Sequence, residues 1–136
     1  MIKSEEIPTY LSEHGIKPSY QRIKIMEYLA THKTHPTVDM IFNDLCKIIP
    51  TLSKTTVYNT LKLFTEKSVA LSITIEDNEV RYDGDTSTHG HFKCTQCGVI
   101  DDFQVNLDDI KVAELENYSI SEHHLYLKGL CHRCKN

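Results

Sequence analysis

Residues 89–103 read "HGHFKCTQCGVIDDF". His89 and His91 stand two apart, the spacing of side chains on one face of a strand. Cys94-x-x-Cys97 follows, a turn in which both sulfurs can point at one ion. The residues beyond it, with Asp101 and Asp102, read as a return strand. A hairpin with a cysteine knuckle at its tip brings Asp102 near the two histidines, and it makes this half of the chain a small domain containing β-structure. The stretch therefore carries two kinds of ligand, soft sulfur at the knuckle and harder nitrogen and oxygen along the strands.

Working outward from the knuckle, a second CxxC, Cys131 and Cys134, follows after 33 intervening residues. Four thiolates in two such pairs are the usual set for a structural Zn²⁺, and closing them would staple the last strand onto the first. Redox dithiols are disfavoured, because neither CxxC opens a helix after a strand. Cys46, beside Leu45, is expected in a helical core. On the nitrogen and oxygen side, Asp83 lies just upstream of His89, and the group suits Fe²⁺, Mn²⁺ or a second Zn²⁺. His35 lies far away in sequence, and taken alone it reads as a surface histidine.

Upstream the texture is helical. A short helix ends at Gly15. Residues 17–32 place Ile23, Met26 and Leu29 three apart, residues 36–49 offer Thr37 as a cap, and residues 53–64 offer Ser53 as a cap with Val57, Leu61 and Phe64 as a buried stripe. The opposite side of that last helix presents Lys54, Thr55, Tyr58, Asn59 and Lys62. Two short strands around the turn at 76–78 follow. The turn-rich "DGDTST" (83–88) suggests a boundary, with domains at 1–84 and 85–136. Beyond the hairpin, a helix capped by Asn106 is expected over 106–118, then a strand on which His123 and His124 alternate.

At 136 residues with 40% hydrophobic content and no tryptophan, two half-length cores would be thin, and a metal or partner chain would help each of them. No segment approaches the ~18 apolar residues of a membrane span. The start "MIKSEEIPTYL" is charged where a signal peptide is apolar, so a cytoplasmic protein is expected. Residues 1–70 hold 9 Lys+Arg against 7 Asp+Glu (+2), and residues 71–136 hold 6 against 12 (−6). The net charge of −4 argues against bulk electrostatic binding to nucleic acid, and the asymmetry points to different jobs for the two halves.

"KPSYQRIKIMEYL", "HPTVDMIF", "LSKTTVYNTLKLF", "RYDGDTSTHGHFKCTQCG" and "CHRC" together resemble the ferric uptake regulator (Fur) family of metal-dependent repressors, nearly end to end. The resemblance implies an α+β protein: an N-terminal winged helix-turn-helix DNA-binding domain and a C-terminal α/β dimerisation domain, forming a homodimer on a palindromic double-stranded operator. It assigns structural zinc to Cys94, Cys97, Cys131 and Cys134. It gathers His35, Asp83, His89, His91 and Asp102 into one regulatory Fe²⁺ or Mn²⁺ site. DNA contacts fall on Lys54, Thr55, Tyr58, Asn59 and Lys62, with Gln21 and Arg22 near the start of an earlier helix.

Within the family, the peroxide-responsive branch is similar in having Asp at position 102, where iron sensors typically carry Glu. The positions flanking His89, Thr88 and Gly90, are poor or impossible side-chain ligands for a second sensory site. Hydrogen peroxide is then the signal, with His35 and His89 as the oxidation targets. The alternatives are an iron- or manganese-responsive repressor without peroxide sensing, and a zinc-thiol redox switch or interaction protein. An enzyme is not expected: there is HGH in place of the HxE of zinc deaminases, and no base with an orienting partner.

Overall fold

The computed structural model describes every residue except Met1, Asp77, Thr88, Leu107, Asp108, Glu122 and Asn136. The chain divides into two compact units, Met1–Thr86 and Ser87–Asn136. The architecture is α+β, helices first and a β-sheet unit after them. Among the described residues no helix is long and apolar enough to cross a membrane.

In the first unit a 3-10 turn, Ser4–Glu6, leads into α1 (Ile7–Glu13). Each of the next three helices starts on a hydroxyl that accepts a backbone N–H three residues on. Ser19 caps α2 (Tyr20–Thr31), Thr37 caps α3 (Val38–Leu45) and Ser53 caps α4 (Lys54–Glu66). Ile7, Leu11, Ile25, Met26, Leu29, Ile41, Leu45, Val57, Leu61 and Phe64 are buried together as the core. Ile25 takes the core position that spacing suggested for Ile23, which is only partly buried. Cys46, expected in the core, caps the end of α3 at intermediate exposure, its thiol directed at the Asn43 carbonyl.

After α4 come β1 (Leu71–Ile73) and β2 (Arg81–Asp83), paired antiparallel with Leu71 opposite Asp83 and Ile73 opposite Arg81. The turn expected at 76–78 centres on Asp77, which lies outside the described residues.

The second unit is a three-stranded sheet in the order β4-β3-β5. β3 (His89–Cys94) is central, antiparallel to β4 (Ile100–Gln104) and parallel to β5 (Tyr126–Gly129). Gly98, at φ +79°, closes the knuckle by donating its N–H to the Cys94 carbonyl. Gly90 lies under the ring of Phe103, and a Cβ there would stand 2.3 Å from Phe103 Cζ.

Two expectations fail in this unit. Among the described residues of 106–118 helical backbone is confined to Asp109 and the 3-10 turn Ala113–Leu115, and Leu107 and Asp108 lie outside them. β-branched Ile110 and Val112 fall two apart, off a helical stripe, and are 47% exposed. A helix of this length without a packed face is marginal in water. The last strand begins only at Tyr126, so His123 and His124 do not alternate across it, and both are exposed.

Candidate functional site

β3 and β4 build the cysteine knuckle, and the turn after β5 carries the second pair. Cys94, Cys97, Cys131 and Cys134 all present sulfurs within 4.8 Å of one another. Tetrahedral bonds of about 2.3 Å place two thiolates ~3.8 Å apart around zinc, and Cys97 Sγ stands 3.8 Å from Cys131 Sγ. The backbone is arranged for negative sulfur. The N–H groups of Cys131 and Cys97 point at Cys94 Sγ, at 3.4 and 3.5 Å. They hold the Cys94 thiol down at about 6, against an ordinary 9.0. Backbone donation from Cys134 likewise lowers Cys131, while Cys134, hydrogen-bonded to Cys131 and then desolvated, is raised to about 12. Thiolates packed this closely also repel one another, and a divalent ion relieves that repulsion. The donors fit the ion that spacing suggested.

The nitrogen and oxygen ligands fall into one cluster in each unit. In Met1–Thr86, His35 Nε2 stands 3.5 Å from Asp83 Oδ2. Both side chains are buried. The surface histidine suggested by position alone is thus a core residue facing a carboxylate. In Ser87–Asn136 the hairpin register sets His91 opposite Asp102. His91 Nε2 lies 3.3 Å from Asp102 Oδ1 and His89 Nε2 lies 3.7 Å from Asp102 Oδ2. His89 Nδ1 is 2.7 Å from the Ser87 carbonyl, which assigns the proton to Nδ1 and leaves the Nε2 lone pair for an ion. Ligands held at about 2.1 Å in neighbouring positions stand ~3 Å apart, close to these separations. Borderline nitrogen with hard oxygen suits Fe²⁺ or Mn²⁺. Sequence reasoning did not anticipate that His89 also lines a cavity of about 700 Å³ walled by Val105, Ile110, Val112, Leu115 and Leu125.

The residues expected to meet DNA are exposed or half-exposed. Lys54, Thr55, Tyr58, Asn59 and Lys62 share the outer face of α4. Gln21 and Arg22 border a cleft of about 530 Å³ with Lys17, Ser19, Thr56 and Asn59. Arg22 is oriented by the Lys17 carbonyl, 3.0 Å away.

Comparison with known proteins gives one consistent result. The sequence model of the ferric uptake regulator family matches residues 13–128. A peroxide-responsive repressor, PerR, of Staphylococcus aureus (strain Mu50) is 33% identical over 97% of this chain and 91% of its own length. PerR from Streptococcus pyogenes, whose structure addresses peroxide sensing and gene regulation, is 29% identical with a TM-score of 0.56. That match covers 99% of this chain and 95% of the other. The Vibrio cholerae ferric uptake regulator shares the fold, with a TM-score of 0.73 at 24% identity over 91% of this chain and 98% of its own.

Proposed function

The chain belongs to the ferric uptake regulator family, whose members are metal-dependent repressors that bind operator DNA as dimers, act in the cytoplasm and are not enzymes, and on that footing we propose that it is the peroxide-responsive kind. One regulatory ion, Fe²⁺ or Mn²⁺, would draw His35 and Asp83 from residues 1–84 and His89, His91 and Asp102 from residues 85–136. Zn²⁺ on the four cysteines would brace the dimerisation domain. The observation that carries the reading is the Asp102 carboxylate set between the Nε2 atoms of His91 and His89, in a chain 33% identical to a peroxide-responsive repressor.

A ligand set drawn from both domains fixes the orientation of the DNA-reading half relative to the dimerising half. The two reading heads of a dimer must stand about one helical turn of DNA apart, roughly 34 Å. Metal favours operator binding only by its differential affinity for that arrangement. When bound, ferrous iron supplies the reduction of hydrogen peroxide at the site, and manganese does not. His35 and His89 are the imidazoles that would gain oxygen. An oxidised imidazole is a poorer ligand, so the domains uncouple and the operator is released. The outer face of α4 reads base edges through Tyr58, Asn59 and Thr55. Lys54, Lys62, Gln21 and Arg22 meet phosphates.

The test is an operator-shift assay at fixed salt on iron- and manganese-loaded protein, with and without hydrogen peroxide. Release confined to the iron sample, with a gain of one oxygen on peptides containing His35 or His89, is the expected result. Peroxide-indifferent binding in both samples would leave a plain metal-responsive repressor, and oxidation confined to the cysteines would favour a thiol switch.

A further inference from the structure

His35 has a backbone that its sequence disfavours. Its φ is +58°, a left-handed conformation that only a few per cent of non-glycine residues adopt, although histidine tolerates it better than most. It also precedes Pro36, which pushes the residue before it toward extended backbone. Left to itself this dipeptide would open and carry the imidazole away from Asp83. Something in the fold holds it closed.

Three interactions do so, all made by consecutive residues of β2. Arg81 Nη1 donates to the His35 carbonyl at 3.1 Å. The Tyr82 N–H donates to the Pro36 carbonyl at 2.9 Å. The Asp83 carboxylate faces the His35 ring. The last two are a backbone group and a proposed metal ligand. Arg81 holds the loop through a side chain that is not itself a proposed ligand, and its Nε is paired with the Glu76 carboxylate. Both partners are well shielded, their side chains 21% and 13% exposed. The planar guanidinium serves both ends at once, carboxylate on one edge and carbonyl on another.

We propose that Arg81, anchored by Glu76, is a positioning residue for the regulatory metal: it locks the His35–Pro36 backbone in the conformation that aims the His35 imidazole alongside Asp83. This rests on the reading of His35 as a ligand. Without the lock the ligand-ready loop is only fractionally populated, and metal affinity falls by that fraction. Groups that orient metal ligands are typically worth about 10- to 100-fold in affinity.

The experiment is a competition titration of Mn²⁺ against a chromophoric chelator, on full-length, zinc-replete protein. It compares the parent with His35→Ala, Arg81→Ala, Arg81→Lys and Glu76→Gln. Arg81→Ala is expected to bind Mn²⁺ about 10- to 100-fold more weakly. Arg81→Lys, which can still donate to the carbonyl, recovers part of that loss, and Glu76→Gln shifts the same way by less. Zinc content stays at the parental level, and saturating Mn²⁺ restores operator binding, which a general folding defect would not allow. If Arg81→Ala does not fold, Glu76→Gln and Arg81→Lys decide: parental Mn²⁺ affinity in both overturns the proposal. Parental affinity in Arg81→Ala alongside a clear loss in His35→Ala overturns the positioning role and spares the metal site. Parental affinity in His35→Ala removes the ligand reading and this inference with it.

Discussion

His91 and Asp102 are cross-strand partners in the β3–β4 hairpin, and their side chains meet on one face with Nε2 3.3 Å from Oδ1. The second oxygen of the same carboxylate faces His89. One small side chain thus organises both imidazoles. Asp102→Ala should weaken regulatory Mn²⁺ binding by at least about 10-fold and leave zinc content untouched. Isothermal titration with Mn²⁺, beside zinc analysis of the same sample, checks this. Equal Mn²⁺ affinity in the variant would remove Asp102 from the site.

Among the described residues the α-helices all lie between residues 7 and 66, while the four thiolates lie in the other unit. Stripping zinc with a strong chelator, or Cys131→Ser, should therefore abolish dimerisation with most of the 222-nm helical signal retained. Sedimentation and far-ultraviolet circular dichroism on one preparation would show it. A collapse of the helical signal in step with zinc loss would contradict the assignment of independent cores.

A side chain at position 90 would have to displace the ring of Phe103. Gly90→Ala should destabilise the protein by about 1–3 kcal/mol, the usual cost of forcing a methyl into a closed site. Pairing it with Phe103→Leu, which opens that space, should return part of the loss in urea denaturation.

On the proposed reading, Lys62 and Asn59 divide two tasks on the α4 face. Lys62→Ala should weaken binding to all DNA sequences alike and lower the slope of log K against log salt by about 1 for each phosphate the lysine neutralises. Asn59→Ala should cost about 1–3 kcal/mol on the operator, with little change in that slope. Identical salt slopes for parent and Lys62→Ala would move the lysine off the backbone.

Burial, and then the Asp44 carboxylate to which its hydroxyl donates at 2.6 Å, push the Tyr28 phenol up to about 12 from 10.0. A folded pKa above the unfolded one favours the protonated, folded form. That contribution is complete below about pH 10 and is lost as pH rises toward about 12. Urea denaturation across this window should show the parent losing stability more steeply than Tyr28→Phe.

The parts of this molecule that sequence reading captured are those whose signal is local. Thr37 and Ser53 cap helices because a hydroxyl three residues before a backbone N–H acts alone. The hairpin register that joins His91 to Asp102 follows from a turn of fixed length between alternating strands. His35 behaves otherwise. Its burial depends on β2, more than forty positions downstream, and nothing near it in sequence reveals its left-handed backbone. Only the family resemblance lifted it from the surface. The 106–118 stretch failed in the opposite sense, since its composition suits a helix but its apolar residues find no common face.

The parallel pairing of β3 with β5 has a kinetic consequence. Residues such as Cys94 and Gly129 must find each other across a long stretch of chain with little regular structure between them. The α-helices, which pack mainly on their neighbours in sequence, should reach order in a small fraction of the time. Freshly synthesised molecules would then pass through a half-assembled stage, and the supply of free zinc would govern how long they linger in it.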